Sequence, residues 1–160
     1  REQDLSAITW TFDPLVRRNC VFNFEKLGAF AVEYLPNFYG TMTDVINSGD
    51  DSDRLFAYWP VDGDLDHEAG QSSQTALKNI DGAPVTQEFD HSVAYWVELP
   101  ADIEDLRQTD LLLAKEWRAE VRRLIHEPIE NGWFIRSMSA DRTAVLIEPT
   151  TSNYELGDLD

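Results

Sequence analysis

The chain has 160 residues, 42% of them apolar, with five tryptophans, and carries 30 acidic against 13 basic side chains for a net charge of −17. This composition describes one globular domain and excludes a disordered chain, and the charge excludes a phosphate-backbone or anionic-membrane partner. No apolar run is long enough to span a bilayer and no signal peptide opens the chain; the single cysteine, Cys20, allows no internal disulfide. A cytoplasmic protein is expected.

Lysine occurs only at Lys26, Lys78 and Lys115, and 17 Asp accompany 13 Glu. So acidic a surface repels itself. Concentrated salt relieves this, because the Debye length falls to about 3 Å at 1 M. A salt-adapted source and an ordinary acidic protein both fit.

Residues 7–12 are β-branched and aromatic and predict a strand. Asp13 followed by Pro14 predicts a helix start, with Val16, Cys20, Phe24 and Leu27 as its buried stripe and Gly28 as its C-cap. A second strand is expected over 29–35, stopped by Pro36, and a long connection over 36–53 with a short helical turn near 43–46. A connection of that length in a compact domain points to function. A third strand follows at 54–60, a solvated acidic loop over 62–70, a short helix over 72–79 and a turn at Gly82, Ala83 and Pro84. Residues 93–99 predict a strand, 101–107 a short helix opened by Asp102, and 111–127 a long helix whose end Pro128 disturbs. Leu113, Trp117, Val121 and Leu124 line one face of that helix, with Arg118, Arg122 and Arg123 mostly on another. A terminal hairpin is expected over 133–138 and 143–148, and a frayed tail over 150–160. The order predicts a single mixed α/β domain, α+β in character, over 1–160.

Familiar catalytic signatures are absent: no GxSxG, P-loop, GxGxxG or HExxH. His67, His91 and His126 are far apart and read as surface residues. Asp62, Asp64 and Asp66 fail as a calcium loop because the twelfth position is Ser73, so no metal site is expected. Cys20 lies on the apolar stripe and reads as a buried side chain rather than a nucleophile. Asn19 and Asn23 share a helix face at i,i+4, where asparagine is unfavourable. Arg17 and Arg18 stand in the first turn, where unpaired N–H groups also attract anions, although Asp13 would compete. Such a face suits a ligand with amides along its length and phosphates at one end, as in coenzyme A. It equally suits two asparagines that tie the helix to nearby backbone.

The runs Trp10-Thr-Phe-Asp-Pro-Leu15, Arg18-Asn19, Phe22-Asn23 and Lys26-Leu-Gly-Ala29 resemble a family of predicted acetyltransferases in the GNAT superfamily (GCN5-related N-acetyltransferases). So do Tyr34-Leu-Pro-Asn-Phe-Tyr-Gly40, Asn47-Ser-Gly-Asp50, Ser52-Asp53-Arg54 and Trp117-Arg118. The TFDPL and KLGA blocks carry most of the specificity. The likeness is close over 7–60 and looser over 93–138. It implies a GNAT-like mixed sheet with flanking helices, acetyl-CoA or another acyl-CoA as donor, and a small amine as acceptor. Residues 7–35 match that fold's last strand–helix–strand unit, which implies cofactor contacts from Asn19, Asn23 and Arg17. The superfamily's arginine- and glycine-containing phosphate loop is missing. The resemblance therefore implies the C-terminal portion of such an enzyme, with the 7–12 strand open to pair with the absent part or with another chain. Phe24 stands where many relatives place a tyrosine acid, so Tyr34 or Tyr39 is the candidate acid. Asn37, Asp53 and Arg54 are candidate acceptor-binding residues. The alternative is a non-catalytic GNAT-like module that binds a ligand or a partner protein.

Overall fold

The computed structural model describes residues 6–40, 49–61 and 70–150. The expected turn near 43–46, the acidic loop over 62–69 with His67, and the tail over 151–160 lie outside them. Among the described residues eight strands form one mixed sheet: β1 (Ala7–Phe12), β2 (Phe30–Leu35), β3 (Arg54–Pro60), β4 (Thr75–Ile80), β5 (Ala83–Thr86), β6 (Tyr95–Glu98), β7 (Phe134–Met138) and β8 (Ala144–Glu148). Their spatial order is β1-β3-β2-β7-β8-β6-β4-β5. Every neighbouring pair is antiparallel except β4 and β6, and β1 and β2 run parallel to each other on either side of β3. Among the described residues three helices accompany the sheet: α1 (Arg17–Cys20), which continues as a π-helix over Val21–Lys26, α2 (Ile103–Thr109) and α3 (Leu111–Glu130).

The strand register sorts the side chains. Phe12, Leu55 and Tyr34 face one side with Ala31, Ile135 and Ile147, then Tyr95 and Val97. These residues join Cys20 and Phe24 from the first helix and Trp117, Val121, Leu124 and Ile125 from α3 in one core. Phe12 meets Phe24 edge-on at 5.6 Å, and the Tyr95 hydroxyl reaches α3, so the first helix and α3 cover the same face. Phe30, Phe134 and Leu146 fall on the opposite face and are also buried.

Several expectations need correction. The first helix does not start at Asp13. The Asp13 carboxylate accepts the N–H of Leu15, a local turn, and an arginine from α2; Val16 occupies the cap position without a side-chain bond. The helix also changes pitch. The Asn23 side-chain amide donates to the Asn19 carbonyl at 2.7 Å, the acceptor that its own backbone N–H would use in an α-helix. With that acceptor taken, the backbone widens to i→i−5 bonding, as in Leu27 N–H to Phe22 O. Gly28, at φ +70°, ends the segment as expected.

The helix expected over 72–79 is instead β4. It pairs with β5 around Asp81 and Gly82, both at positive φ, so the Gly82-Ala83-Pro84 turn moves one residue back. The composition of 72–79 is ambiguous, and sheet pairing on both edges decides it. Pro128 does not end α3, which runs to Glu130. Proline has no N–H to give the Leu124 carbonyl, and the Tyr95 hydroxyl supplies the missing donor at 2.6 Å. No helix among the described residues is long and apolar enough to cross a membrane.

Candidate functional site

The candidate residues fall into two groups. Asn19, Asn23 and Arg17 lie along the first helix. Asn23 is 4% exposed; its Oδ1 accepts the Trp10 indole N–H at 2.8 Å while its Nδ2 holds Asn19 O. Its amide therefore pins β1 to the helix. Asn19 is half-buried. Arg17 donates from Nε and Nη2 to the Leu99 carbonyl, at 3.1 and 2.5 Å. Arg18 pairs with Glu104 at 2.5 Å. A cleft of about 260 Å³ opens between this helix start and α2, but both guanidinium groups beside it already have protein partners. Cys20 and Phe24 are buried in the core, and burial pushes the Cys20 thiol far above its usual range.

The second group converges where β2 ends and β3 begins. The Tyr34 hydroxyl donates to Asp53 Oδ2, and the Asn37 backbone N–H donates to Asp53 Oδ1 at 2.9 Å. Asn37 takes a left-handed conformation, φ 47°, that turns its N–H inward. Tyr39 is half in solvent. Its N–H donates to Ser52 Oγ at 2.9 Å, and the Arg54 guanidinium lies 5.6 Å from its ring. Arg54 also donates to the Thr11 carbonyl at 3.0 Å, tying the group to β1.

Behind this group lies a feature that the sequence reading missed. Asp53 is fully buried, and Arg122 grips it with two bonds of 2.6 and 2.8 Å. Arg118, 3% exposed, donates to Asp50 at 2.9 Å and stands 3.6 Å from Asp53. Arg107 bridges Asp50 at 3.2 Å and Asp13 at 2.7 Å. Asp13, in the turn that follows β1, and the acids of 50–53 thus alternate with arginines from α2 and α3. Arg122 follows Arg118 at i,i+4, which places both on one side of α3; that spacing was the available signal. Arg118 itself is buried.

The charges set the protonation states. Burial would raise the Asp53 pKa, but the Arg122 bonds, the Arg118 charge, the Tyr34 hydroxyl and the Asn37 N–H together hold it below the ordinary carboxylate value. Tyr34 is held protonated: burial raises its pKa, and Asp53 adds to the effect through charge and hydrogen bond. A group with a depressed folded pKa contributes stability above its unfolded pKa and loses it as pH falls through the folded value. The Asp53→Asn variant is therefore expected to be less stable at neutral pH, and to lose less further stability than the parent below about pH 4. Urea unfolding across that range checks this, and parallel acid profiles for the two proteins would contradict it.

Among the described residues no group of three or more His, Cys, Asp or Glu side chains could hold a metal ion. Comparison with protein-family models, with curated proteins and with solved structures finds no match for this chain.

Proposed function

We propose that the chain is the C-terminal portion of a GNAT-type, acyl-CoA-dependent N-acyltransferase with a GNAT-like sheet, acting on a small amine. The observation that carries this reading is the strand–helix–strand unit of β1, the first helix and β2. Its two strands run parallel, and β1 is the end strand of the sheet, with no described strand on its outer side. An open strand edge presents alternating N–H and C=O groups, which suit the amides of an extended pantetheine arm. In this reading Asn19 contacts the arm and Asn23 positions the unit by holding Trp10. Tyr34 has its proton committed to Asp53, so the partly exposed Tyr39 is the better acid for the departing thiolate. Asn37, Asp53 and Arg54 shape the acceptor side, and the acidic surface draws cationic amines toward it.

The test is release of free thiol from acetyl-CoA in the presence of butylamine, spermidine or a lysine-containing peptide. The expected outcome is amine-dependent release that falls roughly a hundredfold in Tyr39→Phe, a typical scale for losing a general acid. An unchanged rate in that variant removes Tyr39 from the role.

A second reading, a non-catalytic module whose β1 edge pairs with another polypeptide, draws on the internal engagement of Asn23, Arg17 and Tyr34. Binding of acetyl-CoA without thiol release from any of these amines would favour it.

A further inference from the structure

The proline in α3 has a consequence at the other end of the sheet. Because the Tyr95 hydroxyl is fixed on the Leu124 carbonyl, the Tyr95 ring is held beneath the last turns of α3. Beside it a cavity of about 290 Å³ opens, with Trp133 and His91 as further aromatic lining and Pro128 at the helix side. This lies at the lower end of the roughly 300–1,000 Å³ typical of small-molecule sites. The rings form a chain: His91 lies 4.1 Å from Phe89, Phe89 lies 4.6 Å from Tyr95, and Tyr95 lies 6.0 Å from Trp133.

The charged side chains lining the cavity are Glu127 and Arg123, and the arginine is paired. Arg123 is engaged by Glu120 at 2.6 Å and by Thr86 Oγ1 at 3.0 Å. The Asn131 amide donates to the Glu127 backbone carbonyl at 3.0 Å. Glu127 lines the cavity and forms no ion pair among the described residues; burial first raises the Tyr95 phenol pKa, the Arg123 charge opposes that, and the Glu127 charge adds to it. An adjoining cleft of about 670 Å³ shares His91 and Arg123 and adds Glu88 and Asp90. An anionic ligand would meet these carboxylates with only a paired arginine to offset them. A cation would gain from the carboxylates and from the ring faces together.

We propose that this cavity binds small organic ammonium ions, with the cationic head against the partly buried Trp133 and beside Glu127. The site uses none of the residues assigned to acyl transfer and stands whether or not the chain acylates amines.

The test follows the Trp133 indole N–H resonance of the ¹⁵N-labelled protein at constant ionic strength. Choline chloride is the probe, with 3,3-dimethylbutan-1-ol as its neutral isostere and benzoate as an aromatic anion. Choline is expected to give a saturable shift and to bind roughly tenfold tighter than the neutral isostere, the scale of a partly desolvated cation–π contact. Glu127 is exposed, so Glu127→Gln should leave the fold intact and weaken choline binding by roughly three- to tenfold. Trp133→Leu should abolish the tighter binding of choline over the isostere, read from the Tyr95 ring resonances. The proposal is overturned if choline gives no saturable shift, if the isostere or benzoate binds as tightly as choline, or if Glu127→Gln leaves choline affinity unchanged.

Discussion

Arg118→Met is expected to lower the unfolding free energy by about 3–5 kcal/mol, the usual cost of removing one partner from a buried ion pair. Arg118 is 3% exposed and faces Asp50, Asp53 and Asp13 at 2.9, 3.6 and 4.0 Å. Methionine fills much of the volume but leaves those carboxylates with only Arg107 and Arg122 for compensation. Arg118→Lys should recover only part of the loss, because an ammonium cannot reproduce the guanidinium's two contacts to Asp50. The network joins residues 50–53 to α2 and α3, so the damage should extend to the group around Tyr34 and Tyr39. Urea unfolding of the three proteins at neutral pH measures the effect. A loss below about 1 kcal/mol, the range of exposed pairs, would mean that the network is not buried in solution.

Trp117→Ala is expected to cost about 3–5 kcal/mol as well, for a different reason. Trp117 is fully buried at the centre of the core, and its indole N–H donates to the Gly82 carbonyl at 3.0 Å. Truncation empties a large volume and leaves the carbonyl of the β4–β5 turn without that donor. Trp117→Phe separates the two effects. It keeps most of the packing and loses the hydrogen bond, and should cost roughly 1–3 kcal/mol. Thermal unfolding followed by near-ultraviolet circular dichroism distinguishes them. Equal losses for Phe and Ala would show that packing contributes little here.

Local pattern was a good guide wherever one force dominated. β1 and β3 were legible to the residue because β-branched and aromatic runs are bounded by Asp13 in one case and by Pro60 in the other. α3 was legible from its stripe, and Asp102 does cap its helix through a bond to Asp105; Asp110, which was not singled out, caps α3 through Leu113. What failed depended on partners distant in sequence. β4 is a strand because β5 and β6 pair with it. The helix passes Pro128 because Tyr95, 33 positions earlier, donates to the exposed carbonyl. The i,i+4 asparagines were read as a ligand face or as ties to nearby backbone; that one of them bonds the Asn19 carbonyl within a helix of shifted register, with Trp10 as second partner, could not be read from spacing.

The candidate site was legible in part for the same reason. Tyr34, Asn37, Tyr39, Asp53 and Arg54 were singled out from one stretch of chain, and they do converge. The arginines that organise them come from α2 and α3, far away in sequence, where a charged residue on a helix is ordinarily solvated.

Isothermal calorimetry of acetyl-CoA against the complete polypeptide encoded by the reading frame that carries this chain tests the central claim most directly. Saturable binding is predicted, weakened several-fold by Asn19→Ala, on the scale of one lost hydrogen bond. No heat of binding for the unmodified protein, at concentrations up to about 1 mM, would contradict it.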